Sequence, residues 1–359
     1  MAVQAENTKA NGCGVVPEGH VVKELVLHSP GDLRFREVAN PKPSAGQALL
    51  KVEAVGVCGT DFHAYHGDQP FMTFPRVLGH ELGCRVLDAP ENDRGIAPGM
   101  LVTVEPLKPC GTCYPCSIGK YNCCRHLQVL GVHTDGGLRE LIALPVHMLH
   151  PSSKLGAEEL AVCEPLSIGL HAVRRAGLRP GEAVCIIGAG PIGLSVMLMA
   201  RAKGARTFVC DVRPERLSMA RRLGATELIS ASGRDLIDAV LTLTADEGPP
   251  VVVEAVGRPE TIELAVELVA SGGRVVVVGL TDRPVALKPS VFVRKELDFR
   301  GSRNSADAFP EVLHLAESGQ VNPSALITER VPFDEAPALF ARHPSHQPLC
   351  KAVITMPSG

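Results

Sequence analysis

An apolar run, A-V-C-I-I-G at 183–188, leads into G-A-G-P-I-G at 188–193, a helical stretch through Lys203, and T-F-V-C-D ending at Asp211. A buried strand, a glycine turn, a helix and a second strand ending in an acid are the context in which G-x-G-x-x-G binds a dinucleotide. Gly188 permits the tight turn, Gly190 lets backbone approach a pyrophosphate, and Gly193 allows close helix–strand packing. Pro191 and Ile192 complete the cofactor loop. The pyrophosphate would rest on the N-terminal amides of the following helix. Asp211, 23 residues after Gly188, is placed to accept hydrogen bonds from the adenosine ribose. Its charge would repel a 2′-phosphate, which favours NAD over NADP. Arg216 would lie against the ribose or adenine, while Arg213 is a nearby guanidinium that would suit a phosphate.

The alternation continues through E-L-I at 227–229, V-V-V-E-A at 251–255, R-V-V-V-V-G at 274–279 and L-D-F-R-G at 297–301, with helical segments between them. About six parallel strands make a full doubly wound sheet, so the fold class is α/β, with a nucleotide-binding domain over 166–305. Before it, Val21 to Val57 shows short β-like runs broken by P-G-D and N-P-K-P-S-A-G, the pattern of an antiparallel β unit. A helix around Pro310–Ser318 and a last strand, C-K-A-V-I-T at 350–355, would return to that unit. The β-rich domain is then discontinuous, 21–165 with 306–359, and residues 1–20 read as a loose arm.

Inside the β-rich part, C-G-T-D-F-H at 58–63 and G-H-E at 79–81 gather a thiol, two imidazoles and several carboxylates. Cysteine and histidine suit zinc, and a site short of protein ligands leaves a position for substrate or water. The bland alternative is a buried cysteine beside a packed core histidine. A second constellation, Cys110, Cys113, Cys116 and Cys124, can wrap one tetrahedral zinc with no open position, so its role would be structural. Cys123 competes with Cys124 as fourth ligand, and a disulfide pair, a redox motif or a nucleic-acid zinc ribbon are the other readings. Pro106, Pro109, Pro115, Gly111 and Gly119 predict a loop here rather than a helix or strand. In C-E-P-L-S-I-G-L-H-A-V-R-R-A at 163–176, apolar positions recur at helical spacing and Gly177 is placed to stop the helix. Glu164 at its start either meets the helix dipole or points into a cleft.

The 359 residues are 45% hydrophobic and carry a formal charge of −3 with no long basic run, which argues against nucleic acid or an anionic membrane as partner. No apolar segment approaches bilayer length, and the first twenty residues lack the apolar core of a secretory signal. Twelve cysteines in so long a chain fit a reducing cytoplasm better than a secreted disulfide scaffold.

In order, C-G-T-D-F-H, G-H-E, the four-cysteine lobe and G-A-G-P-I-G resemble the zinc-dependent medium-chain dehydrogenase/reductase family over nearly all of the chain after residue 20. The resemblance implies a GroES-like catalytic domain, a Rossmann domain, two zinc ions per chain, NAD, and a homodimer or homotetramer. It makes Cys58 and His80 ligands of a catalytic zinc, with Glu81 exchanging with water there, and selects Cys124 over Cys123 in the structural set. It makes Thr60 and His63 a proton relay and Asp61 the acid that orients His80. The stretch around Glu164 is similar to the sorbitol and threonine dehydrogenase branch, where a glutamate replaces a cysteine ligand of simple alcohol dehydrogenases. P-R-V-L-G-H-E, Y-N-C-C, G-V-H-T-D-G-G and G-S-R-N are similar to bacterial L-galactonate and L-gulonate dehydrogenases. Ala64 after His63, and a pocket arginine displaced by one position to Arg303, depart from the sorbitol enzymes.

The expected reaction is oxidation of a secondary alcohol: bound zinc lowers the hydroxyl pKa, NAD accepts hydride, and Thr60 and His63 pass the proton towards solvent. The expected substrate is a small polyhydroxylated acid held by Arg303 and Asn304, with a polyol or threonine as the alternative. Arg303 would otherwise pair with Asp307. A zinc-free quinone or enoyl reductase, and a crystallin-like structural protein, are the competing classes.

Overall fold

The computed structural model describes residues 21–69, 72–342 and 349–357, and the arm expected over 1–20 lies outside them. Six parallel strands form one sheet in the order Glu227–Ile229, Arg206–Cys210, Ala183–Ile187, Val251–Glu254, Arg274–Val277 and Asp298–Gly301. Strand side chains alternate between faces, and here both faces are buried. Val184, Ile186, Val209, Val251, Val253 and Val276 join one core, while Cys185, Phe208, Cys210, Val252 and Val275 join another on the opposite face. That is why these runs read as continuously apolar. Chain order reverses on either side of Ala183–Ile187, and G-A-G-P-I-G leaves from the carboxyl end of that strand.

The remaining strands are mostly antiparallel. A seven-stranded sheet runs Leu149–Ser152, Leu101–Val104, Glu81–Asp88, Gln47–Gly56, Lys351–Thr355, Ile327–Pro332, with Leu141–Pro145 also on Gln47–Gly56. A three-stranded sheet holds the Val21–Ser29/Asp32–Ala39 hairpin and Arg76–Val77. The C-terminal strand therefore completes the sheet begun by residues 47–56, as the apolar C-K-A-V-I-T run suggests. Its pairing with Ile327–Pro332 is parallel.

Helix Cys163–Ala176 links the two sheet systems and stops at Gly177 in the left-handed region. It is continuous across 165–166, so the domain boundary expected there falls inside a helix. Gly169 makes its closest contact possible: a Cβ there would lie 2.5 Å from the Ser195 carbonyl carbon in helix Pro191–Ala202.

The four-cysteine lobe departs from expectation. It contains a short helical turn, Tyr114–Ser117, a 3-10 turn, Tyr121–Cys123, and a two-stranded ladder, Leu107–Lys108 with Gln128–Val129. Pro115 does not forbid the turn because it falls in the first helical positions, where a missing N–H costs nothing.

Candidate active site and metal centres

Cys58 sits at the end of a buried strand and caps helix Gly59–His66, whose Asp61 accepts the Cys58 amide at 2.9 Å. The second Asp61 oxygen lies 3.7 Å from His80 Nδ1. His80 follows Gly79, which needs φ +93; the backbones of Gly131 and Gly136 press directly on Gly79, where any side chain on either would collide. The G-V-H-T-D-G-G stretch thus acts as a backbone clamp on the histidine. Glu81 opens the next strand opposite Gly56, whose missing Cβ makes room for Glu81 Oε2.

Cys58, His80 and Glu81 each present a ligand atom within 4.8 Å of the others. Asp61 Oδ1, His80 Nδ1, Glu81 Oε2 and Glu164 Oε2 are all buried without a hydrogen-bond partner. Asp61 Oδ1 and His80 Nδ1 face one another, while the unpartnered Glu81 and Glu164 oxygens beside a thiol and an imidazole fit a divalent cation. Burial works against a charged His80, but Asp61, Cys58 and Glu164 outweigh it and hold the imidazole pKa well above its usual value. Burial pushes Asp61 up, with His80 opposing.

Glu164, in the first turn of Cys163–Ala176, lies outside the 4.8 Å set. Burial pushes its carboxyl up to about 7, with His80 opposing and Glu81 adding to the rise. The structure therefore gathers three of the four expected ligands and leaves Glu164 facing them. Thr60 is brought to 3.6 Å from the Cys58 sulfur, and His63, one helical turn on, is exposed to solvent.

Sequence reasoning missed Lys351. It is buried on the C-terminal strand, ion-pairs with Glu81 Oε1 and lies 3.3 Å from the Val57 carbonyl. Burial opposes its charge, but Glu81 and Cys58 reverse the shift and raise its pKa. The only signal was a lysine inside an apolar strand run, and its partner is 270 residues away.

Cys110, Cys113, Cys116 and Cys124 form the second ligand set, and Cys123 is not part of it. Amides of Cys110 and His126 point at the Cys124 sulfur at 3.2 and 3.3 Å, and hydrogen bonds from Thr112 bring the Cys110 thiol down to about 5. Donors aimed at sulfur suit thiolates, the form that binds metal.

In the nucleotide loop, Gly188 takes φ +102, and a Cβ on Gly193 would lie 1.8 Å from the Gly188 carbonyl oxygen. Gly190 caps helix Pro191–Ala202, and a Cβ there would meet Arg216 Nη1 at 4.0 Å; Ile192 is in the first turn of the helix. Asp211 differs from the simple expectation, because its carboxylate already accepts the amides of Ala189, at 2.8 Å, and Arg213, at 2.9 Å. It braces the glycine turn. Arg216 lies 3.7 Å from the same carboxylate.

Arg303 and Asn304 follow the last parallel strand. Among the described residues, the Arg303 guanidinium makes no hydrogen bond or ion pair, so the alternative pairing with Asp307 does not form. Burial, then the charges of Arg303 and Arg76, depress the His133 pKa. A separate cavity of about 440 Å³ lies at the amino end of the parallel sheet, where Arg274 and Arg300 close on helix carbonyls, away from all these groups.

Comparison with known proteins decides the family. Residues 44–154 match the alcohol dehydrogenase GroES-like domain, and 191–318 match the zinc-binding dehydrogenase model. An uncharacterized zinc-type alcohol dehydrogenase-like protein of Haemophilus influenzae is 36% identical, over 90% of this chain and 96% of its own. The chain belongs to the zinc-type medium-chain alcohol dehydrogenase family. L-galactonate-5-dehydrogenase of Escherichia coli K12 is 34% identical, over 92% of this chain and 98% of its own. A short chain alcohol dehydrogenase from E. coli CFT073, solved with NADH, superposes with a TM-score of 0.87 at 31% identity, covering 94% of this chain and all of the other. This zinc-type dehydrogenase is thus an oxidoreductase that uses zinc and a nicotinamide cofactor, on a GroES-like plus Rossmann α/β fold. Among the described residues, no helix is long and apolar enough to cross a membrane.

Proposed function

We propose that this dehydrogenase oxidises a secondary hydroxyl of a polyhydroxylated acid of the L-galactonate or L-gulonate type, with NAD as acceptor. The observation that carries the substrate is the guanidinium of Arg303, unpaired among the described residues, next to Asn304, just beyond the carboxyl end of the last parallel strand. Ligands of doubly wound sheets bind outside those strand ends, and a guanidinium fork holds a carboxylate through two parallel hydrogen bonds. The similarity to L-galactonate-5-dehydrogenase points the same way.

In this reading Cys58, His80, Glu81 and Glu164 serve the catalytic zinc, and Cys110, Cys113, Cys116 and Cys124 hold a second ion. Bound zinc supplies Lewis acidity to the substrate hydroxyl and NAD supplies the hydride acceptor. Asp61 fixes the His80 ring. Thr60, beside the Cys58 sulfur, takes the hydroxyl proton, and exposed His63 hands it to solvent. Gly188, Gly190, Pro191, Ile192 and Gly193 seat the pyrophosphate, and Asp211 with Arg216 the ribose. The homo-oligomer would form through the open edge strand Asp298–Gly301, where Phe299 and nearby Val293 are exposed. A reducing cytoplasm suits the unbonded thiols of Cys185 and Cys210, whose sulfurs are 3.5 Å apart.

Arg303→Ala tests the substrate assignment. Truncating a charge-assisted pair costs about 2–5 kcal/mol, so KM for an aldonate should rise at least about tenfold while a neutral polyol is nearly unaffected. Equal effects on both would remove the acid from the proposal.

A further inference from the structure

We infer that Tyr121 and Asn122, just before the cysteine pair that closes the four-cysteine lobe, are positioning residues for substrate recognition. This rests on the reading that Arg303 and Asn304 face the substrate. Y-N-C-C is needed by neither zinc site for its first two residues, yet both are aimed at the Arg303–Asp307 segment. Asn122, only 3% exposed, donates from Nδ2 to the Arg303 carbonyl at 2.7 Å and lies 3.3 Å from His171 Nε2. The Tyr121 hydroxyl accepts the Asp307 amide at 2.7 Å and donates to Glu105 at 2.7 Å.

The segment is irregular. Asn304 has φ +45 and Asp307 has φ +49, left-handed conformations that are uncommon outside glycine, although Asn and Asp enter them more readily than other residues. The other grips come from helix Cys163–Ala176. Arg175 Nε donates to the Gly301 carbonyl at 3.0 Å, and Arg174 Nη1 to the Asp307 carbonyl at 2.9 Å. Ser167, which donates to the Glu164 carbonyl at 2.6 Å, meets the Ser305 hydroxyl at 2.9 Å. The segment is therefore pinned on one side by the helix that carries Glu164 and on the other by the lobe. Its main chain is held while, among the described residues, the Arg303 and Asn304 side chains make no hydrogen bond or ion pair, the arrangement of a preorganised recognition loop.

Tyr121→Phe and Asn122→Ala in the zinc-loaded holoenzyme test this. Amide hydrogen exchange over residues 302–307 should accelerate by about tenfold or more. KM for the best substrate should rise about tenfold, with kcat changed less than about twofold. NADH affinity by fluorescence and zinc content should match the unmodified protein. Where Arg303→Ala raises KM, adding Asn122→Ala to it should raise KM no further, the non-additivity of residues acting through one contact. Unchanged KM and exchange, additive effects, or a loss of zinc with a uniform fall in turnover would overturn the inference. If Arg303→Ala is silent while the two variants still raise KM, the positioning role stands and only the acid assignment fails. If Arg303→Ala acts and the two variants do not, the acid assignment stands and the positioning role fails. Should Asn122→Ala not fold, Tyr121→Phe, which removes a single hydroxyl, decides alone.

Discussion

Glu81 and Lys351 form the most deeply buried ion pair near the candidate zinc site, with side chains 1% and 2% exposed. In zinc-free protein, removing one partner of such a pair strands the other charge in low dielectric, at a cost of about 3–5 kcal/mol. Lys351→Met should lower the denaturation midpoint accordingly, and adding Glu81→Gln should recover much of the loss; a midpoint unchanged in Lys351→Met would mean the pair does not form. Asp211 shows a different balance. It braces Ala189 and, in the proposed reading, also faces the ribose, so Asp211→Ala should narrow the ratio of kcat/KM for NAD over NADP and also weaken both cofactors. An unmodified enzyme with equal values for the two, or preferring NADP, would remove the ribose role. At this scale the legible residues were those whose partners are local. Cys58, His80 and the four lobe cysteines declare themselves because ligand spacing is a short-range pattern. Lys351 did not, since its strand is buried along its length and alternation carries no information there.

Among elements, the parallel strands and their helices were legible because burial on both faces leaves a continuous apolar run with glycine punctuation. The lobe was only half legible: its cysteines specified a metal cage, but not the helical turn at Tyr114–Ser117 or the hydrogen bonds to residues 303 and 307. Those bonds join segments about 180 residues apart, beyond any local signal. The two ligand sets should fail separately. Cys58→Ser should abolish turnover with little loss of stability, whereas Cys113→Ser should release one zinc and destabilise the lobe, since structural zinc contributes folding free energy directly. Metal analysis with thermal denaturation checks both; one zinc or none in carefully prepared unmodified protein would contradict the two-site reading.

At the scale of the whole molecule, the C-terminal strand closes the sheet that carries Glu81, so the last residues of the chain supply Lys351 to a site begun at Cys58. Helix Cys163–Ala176 brings Glu164 to that site and, through Ser167, Arg174 and Arg175, grips the segment bearing Arg303. The candidate metal-binding residues, the glycine loop and the Arg303 segment are thus tied to one helix and one glycine turn. The fold class followed from the sequence; which hydroxylated substrate enters did not, because that is set by side chains contributed from distant parts of the chain. The most direct measurement is kcat/KM with NAD and zinc-loaded protein for L-galactonate, L-gulonate, sorbitol, xylitol and L-threonine. The expected result is that one of the two acids exceeds every neutral polyol and threonine by about tenfold or more. Sorbitol or xylitol outperforming both acids would contradict the proposed substrate class.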